Sequence, residues 1–458
     1  MEKYILSRFV LLLKDEEGRP LAFNTRYRSL LQMPADIYEQ LDNEEAATRS
    51  LDDFHFAEPV REAFLKNKLF VPSDEDKAFV NAQVCRSLSA SFGSDWLSVT
   101  LAPTLDCNFA CPYCFEKHKR KLSMSGEDVD NFLQFVDRYP KKKLALCWYG
   151  GEPLLAFDAM QRIAAGLRRL KDVEWGEHSI VTNGYLIDDA VIAFFKEYRL
   201  KSIQITLDGC REHHDRKRFD KRTHAGSFDH IVGNVSRLLS ELPETALSVR
   251  VNVDRTNVGD FFNVVQLLKE KFPGHAGRLH VYPGLIRIED KERRCWGCES
   301  LTQADVVRFY EELERQRPGS IDWLPGHKGK GCTATNIHGY VIAPNGDIYK
   351  CWNDLGDPAR VCGNIAEPAF SNPTLVQRYL TDGNGLTTEA CRQCALLPVC
   401  DTGCAWERVQ NAYAGYRFDP CTLCRKADLL KKALSHYIRR QLAKQTYHSS
   451  TPQTSEAS

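Results

Sequence analysis

The sequence predicts an α/β protein: a partial (β/α)6 barrel at the centre, a winged-helix-like unit before it and a small cysteine-rich domain after it. Short β-rich runs alternate with amphipathic helical stretches from about residue 97 to residue 282, the pattern of parallel strands joined by crossover helices. Hairpin and turn signals crowd the segment ahead of Val71, and beyond Pro325 the periodicity weakens while cysteines accumulate.

Taken in order, residues 9–71 read as a strand, an Asp15-Glu16-Glu17-Gly18 turn and a returning strand through Leu21-Ala22-Phe23. Two short helices then begin near Ala35-Asp36 and Glu58-Pro59, and Leu69-Phe70-Val71 closes the unit as a strand. Such a hairpin with short helices is either a layer packed on the main domain or a peptide-docking module. The barrel strands are expected over 97–101, 144–149, 179–182, 202–207, 247–253 and 279–282, and the helices over 127–138, 156–170, 188–198, 228–239 and 261–271. Parallel barrels place their chemistry at the carboxyl ends of the strands.

With 458 residues, 43% of them hydrophobic and 27% charged, two or three domains are expected. The boundaries read as 1–93 for the N-terminal module, 94–325 for the barrel and 326–445 for the cysteine-rich domain, with 446–458 a Ser-, Thr- and Gln-rich disordered tail. Lysine plus arginine (61) balances aspartate plus glutamate (61), so no global field attracts nucleic acid or an anionic membrane. The apolar run Phe9-Val10-Leu11-Leu12-Leu13 is cut off by Lys14-Asp15-Glu16-Glu17, too short for a signal segment or a membrane span. A cytoplasmic setting is therefore expected, where disulfides are rare, and the 17 cysteines call for metal or cluster ligation.

The densest signal is Cys107-Asn108-Phe109-Ala110-Cys111-Pro112-Tyr113-Cys114, three thiols on one tight loop directly after a predicted strand. Three thiolates hold three irons of a cubane and leave the fourth without a protein ligand, a vacancy that S-adenosylmethionine (SAM) can fill through its amino and carboxylate groups. A zinc site or structural cluster, the competing reading, ordinarily takes four protein ligands. In this C-x3-C-x2-C spacing, with aromatic Tyr113 before the last cysteine, the chain resembles the radical SAM superfamily. Gly150-Gly151-Glu152-Pro153 after the second strand looks like that family's GGEP motif: Gly150 and Gly151 permit close backbone approach, and Glu152 offers an acceptor for the SAM ammonium group. Thr182-Asn183-Gly184 and Thr206-Leu207-Asp208-Gly209 end the third and fourth strands, with His214-Asp215 and Arg218 following. The resemblance makes Asn183, Asp208 and Arg218 the candidates for ribose and methionine-carboxylate contacts.

A second pattern comprises Cys332, Cys351, Cys391, Cys394, Cys400, Cys404 and Cys421, with turn formers such as Pro344-Asn345-Gly346 and Gly403 between them. It resembles the SPASM domain, which holds auxiliary four-iron clusters; two zinc sites are the competing reading. The resemblance runs from Leu97 to about Cys424 and implies one cluster on Cys391, Cys394, Cys400 and Cys421, and another on Cys332, Cys351 and Cys404. The second set lacks a fourth ligand. Either Cys295 or Cys298 reaches it, with Cys298 favoured, or the cluster has an open iron. Cys424 competes with Cys421 as the last ligand, and Cys147 reads as a small buried hydrophobe.

The resemblance implies [4Fe-4S] clusters, SAM and a 5′-deoxyadenosyl radical that removes hydrogen from an unactivated carbon. Relatives with a leading winged-helix-like module modify ribosomally made precursor peptides, forming thioether or carbon–carbon crosslinks with electrons exchanged through a flavodoxin- or ferredoxin-type donor. An alternative is sulfatase maturation to formylglycine, in which an aspartate base follows the second SPASM cysteine; here Trp352-Asn353-Asp354 follows Cys351, displacing the carboxylate by two residues. A non-catalytic iron–sulfur carrier or redox sensor is the third reading, and it has no need of the Gly150–Pro153 motif.

Overall fold

Local pairing rules dictate most of the N-terminal unit, formed by β1 (Tyr4–Leu6), β2 (Val10–Lys14), β3 (Pro20–Asn24), β4 (Ser29–Gln32) and β5 (Phe70–Pro72). The computed structural model describes residues 3–286 and 299–418, apart from 16, 94, 115–120, 141–142, 319–320 and 322–331, together with 435, 437 and 438. β2, β3 and β4 form an antiparallel meander in that order, and β1 pairs antiparallel with β5. The helices Ala35–Leu41 and Glu58–Lys66 start where expected. One face of the meander buries Ala22 with Met33, Tyr38, Phe64 and Phe70, while the other sets Leu21 and Phe23 against Leu396 and Val399. The hairpin is thereby fastened to the cysteine-rich region, and Thr25 Oγ1 adds a hydrogen bond to the Ala395 carbonyl at 2.5 Å.

The central sheet contains β6 (Trp96–Leu101), β7 (Lys143–Trp148), β8 (Glu174–Thr182), β9 (Ser202–Leu207), β10 (Ala246–Val253) and β11 (Leu279–Leu285), all parallel. Its order is β11-β10-β9-β8-β7-β6, and each expected strand is present within a few residues of its expected ends. Beyond β6 the sheet continues into β12 (Gly339–Ile342), again parallel, then antiparallel β13 (Asp347–Tyr349) and β14 (Gly363–Asn364). The cysteine-rich region thus shares the main hydrophobic core through Tyr340, Ile342 and Ile348, although the weak periodicity beyond Pro325 points to a small domain held by metal rather than by a large apolar core.

Alternation along the strands sorts the two faces. Leu97, Val99 and Leu101, Leu144, Leu146 and Trp148, Ile203, Ile205 and Leu207, and Leu247, Val249 and Val251 are buried with the crossover helices. Helix Gly126–Arg138 is representative: Ser125 caps it by accepting from Asp128 N at 3.2 Å, and Val129, Phe132 and Val136 recur on its buried face. Each such side chain contributes about 1.5–3 kcal/mol on leaving water. The opposite face carries Thr100, Cys147, Gln204, Thr206, Arg250, Asn252 and Tyr282. A sheet wrapped by helices on its outside and polar on its inside has a lumen for ligands, and the loops at its carboxyl ends lie over that lumen.

Candidate active site

The cysteine loop follows β6, and the turn after β7 is pressed into it. Gly150 has φ +121°, and a Cβ there would lie 2.2 Å from the Thr104 carbonyl oxygen; a Cβ on Gly151 would lie 2.2 Å from that of Asp106. Only a bare backbone allows this approach. Gly151 N donates to Thr104 O at 3.2 Å and Glu152 N to Asp106 O at 2.8 Å, so the two loops are locked as one unit.

Glu152 is fully buried. Its Oε1 accepts from Leu154 N at 3.2 Å and Thr182 Oγ1 at 2.7 Å, and its Oε2 from Asn183 N at 2.7 Å. Burial pushes its carboxyl above the ordinary value, and these hydrogen bonds pull the other way. Asn183 Nδ2 donates to Asn108 Oδ1 at 2.6 Å, tying the end of β8 to the residue after Cys107.

On the far side of the loop, Arg218 Nη1 donates to Tyr113 Oη at 3.0 Å and lies 3.7 Å from Cys111 Sγ. Asn252 Nδ2 donates to Tyr113 Oη and to Asp208 Oδ1, both at 3.1 Å. Burial raises the Asp208 carboxyl, with the Arg218 guanidinium opposing it 3.9 Å away. His214 supports this group from behind: its Nδ1 accepts from Asp208 N at 3.2 Å, and its Nε2 faces Ser227 Oγ at 2.8 Å, which donates to the Arg218 carbonyl at 2.6 Å. That pattern fixes one neutral tautomer, and burial, then Arg218, depresses its pKa.

Whether these residues suit SAM and a cluster is decided by what is left unsatisfied. Asn108 Nδ2, Asp208 Oδ2 and Arg218 Nε are buried without hydrogen-bond partners, and all three belong to residues around the cysteine loop. Native interiors rarely leave such atoms alone, so a donor-and-acceptor-bearing ligand fits. Burial pushes Cys107 up to about 12 and Cys111 up to about 11, so a bound cation would be what holds them as thiolates. No group of three or more Cys, His, Asp or Glu among the described residues is spaced to hold a single metal ion.

Of the second cysteine set, Cys332, Cys351 and Cys404 lie close enough for their charges to interact, while Cys391 and Cys394 share one turn, Cys394 N donating to Cys391 O at 3.2 Å. Backbone N–H groups two residues on point at sulfur, among them Phe109 at Cys107 (3.4 Å), Ala334 at Cys332 (3.4 Å), Leu396 at Cys394 (3.4 Å) and Thr402 at Cys400 (3.3 Å). Such bonds orient and tune cluster thiolates. Arg408 Nη2 adds a contact to Cys391 Sγ at 3.3 Å. Cys295, Cys298, Cys421 and Cys424 lie outside the described residues. Cys147 is half-buried on the lumen face.

Sequence reasoning missed Asn108, Thr182 and Asn252. Thr182 and Asn252 stand at or near strand ends, where a polar residue interrupts an apolar run, the one signal that marked them.

A cysteine loop, a glycine turn and strand-end acceptors converging on the mouth of a parallel half-barrel define a SAM-cleaving iron–sulfur enzyme: residues 101–268 match the Radical SAM superfamily, and the chain belongs to it. Its relatives include the cysteine-type anaerobic sulfatase-maturating enzyme of Clostridium novyi, 24% identical over 346 residues, covering 69% of this chain and 89% of that one. Among solved structures it resembles anSMEcpe with bound AdoMet and the Cp18Cys peptide (TM-score 0.55, 18% identity, 77% of this chain, 98% of that one). It also resembles Streptococcus suis SuiB bound to its precursor peptide SuiA (TM-score 0.50, 14% identity, 92% and 100%). These likenesses establish the fold. No described helix is long and apolar enough to cross a membrane.

Proposed function

We propose that the chain is a peptide maturase that forms an oxidative crosslink, thioether or carbon–carbon, in a ribosomally made precursor peptide. The observation that carries this reading is the N-terminal meander held against the cysteine-rich region, with β2 paired on one side among the described residues. An edge strand offers main-chain donors and acceptors to an extended peptide, and anchoring to the cysteine-rich region keeps a bound leader at a fixed place relative to the lumen.

When bound, SAM and its cluster supply hydrogen abstraction from an unactivated carbon. Cys107, Cys111 and Cys114 would hold that cluster. Glu152 would orient the SAM amino group, Asn183 and Asp208 its ribose, and Arg218 its carboxylate, with Tyr113 and Asn252 positioning Arg218 and Asp208. Cys391, Cys394, Cys400 and Cys421 would hold one auxiliary cluster, and Cys332, Cys351 and Cys404, with Cys298 as fourth ligand, the other. Crosslinking removes two hydrogens from the peptide: one would leave with the deoxyadenosine, the other as a proton plus an electron that the auxiliary clusters, if bound, would accept, while a flavodoxin- or ferredoxin-type donor would supply the electron that cleaves SAM.

Sulfatase maturation is the second reading, favoured by the extent of the likeness to the Clostridium novyi enzyme. The local chemistry disfavours it. Trp352, 50% exposed, stands directly after Cys351, and Asp354 is buried, accepting from Trp406 Nε1 at 2.8 Å and from Tyr379 Oη. A carboxylate so engaged is poorly placed as a base.

Anaerobic incubation of the reconstituted protein with SAM, dithionite and precursor peptides, followed by mass spectrometry and hydrazide labelling, separates the readings. Loss of two hydrogens without hydrazide reactivity supports a crosslink. A hydrazide-reactive aldehyde overturns it in favour of formylglycine, and absence of deoxyadenosine leaves the carrier reading.

A further inference from the structure

Strand register places Thr206, Arg250 and Tyr282 side by side across β9, β10 and β11 on the lumen face. Arg250 is half-buried there, and its guanidinium packs close against Gly284: a Cβ on that glycine would come within 2.4 Å of Arg250 Nε and 2.8 Å of Cζ and Nη2. Arg250 Nε donates to Asn252 Oδ1 at 3.0 Å, and Tyr282, which donates from its own hydroxyl to Gln204 Oε1 at 2.6 Å, is its other neighbour. Both partners are neutral.

No carboxylate among the described residues pairs with Arg250. Some arginines of this chain find one even when well exposed, as Arg168 does with Glu197 and Arg308 with Asp305, while Arg278 is met instead by the backbone carbonyls of Leu239, Leu242 and Thr245. A guanidinium taken partly out of water, packed close on a glycine and given no anion by the described residues is a costly arrangement unless an anion arrives. SAM also carries a carboxylate. Arg218, 3.7 Å from Cys111 Sγ, and Lys221, whose Nζ donates to Asp106 Oδ1 at 2.9 Å, are cations at the cysteine loop, whereas Arg250 lies three strands away from β7. Asn252, which contacts both Arg250 and the Tyr113–Asp208 group, makes Arg250 the next side chain inward from the SAM cradle.

The geometry points to Arg250, with Tyr282 and Gln204 beside it, as a recognition site for a carboxylate carried by the substrate, an aspartate or glutamate side chain at a fixed offset from the modified residue. The inference rests on the peptide reading above and names the chemistry of the substrate next to the reacting carbon. The planar fork offers two parallel hydrogen bonds to a carboxylate, which fixes the peptide's orientation as well as its position.

The test uses the full-length holoenzyme with SAM, dithionite and leader-bearing precursor peptides randomised at the three positions on either side of the modified residue, and sequences the peptides that lose two hydrogens. Wild type is expected to enrich Asp or Glu at one offset, with Arg250→Gln reducing that enrichment at least tenfold, Arg250→Lys restoring part of it and Arg250→Glu favouring Lys or Arg at the same offset. Modified peptides with no acidic preference, or a preference unchanged in Arg250→Gln, overturn the assignment. So does a tenfold weakening of SAM binding in Arg250→Gln by equilibrium dialysis, which would give the guanidinium to SAM. Deoxyadenosine without any modified peptide from the wild type sinks the peptide reading itself, and this assignment with it.

Discussion

Replacing Gly151 by alanine adds a single methyl group at the point where the glycine turn meets the cysteine loop. Its Cβ would sit 2.2 Å from Asp106 O and 2.6 Å from Asp106 C, both backbone atoms, so no side chain can swing aside. Restoring ordinary contact requires the loop bearing Cys107 to retreat by roughly 1 Å, at a cost of about 1–3 kcal/mol of overpacking. A displacement of that size at a reacting centre lowers rate by about 100-fold. Gly151→Ala is therefore expected to fold with a lowered Tm, keep the iron of the auxiliary sites and lose about 100-fold in deoxyadenosine formation, read by chromatography after a single turnover. Wild-type rate and Tm together would refute the claim that the turn sets the position of the loop.

Other consequences follow from particular side chains. His178, buried and accepting at Nε2 from Trp148 Nε1 at 2.6 Å, is held neutral, its pKa lowered to about 4 by desolvation. Its folded pKa is below its unfolded one, so protonation favours unfolding: stability falls as pH drops from 6.5 towards 4, by about 3 kcal/mol from this group. Tm measured across that window is expected to fall less steeply in His178→Gln. Asp354→Asn replaces one of two acceptors that hold Trp406 and Tyr379, and is expected to cost about 1–3 kcal/mol of stability by chemical denaturation. A loss of turnover with unchanged stability would instead mark it as a catalytic base. Asn252→Ala removes the donor shared by Tyr113 and Asp208, and is expected to weaken SAM binding about tenfold; unchanged affinity by equilibrium dialysis would remove Asn252 from the cradle.

Much of the barrel was legible because its strands are buried on one face only, so alternation marked β9 to the residue and the others within a few positions. The cysteine loop and Gly150–Pro153 were legible because their spacing is dictated by ligand geometry. β1 and β12 escaped notice because each is three or four residues long and exists only through a partner far away in sequence. Helix Glu75–Phe92 was missed for a different reason: the side it buries includes Asp76, Gln83, Ser87 and Ser91, so hydrophobic periodicity does not betray it. Asn252 and Arg250 carry no motif; only the register of β9, β10 and β11 reveals what they face.

Hyperfine spectroscopy of the reduced protein with SAM isotope-labelled at its amino nitrogen interrogates the site directly. The account predicts strong coupling between that nitrogen and one iron, lost in Cys111→Ala. A cubane with four protein ligands, or zinc bound by Cys107, Cys111 and Cys114, would contradict it.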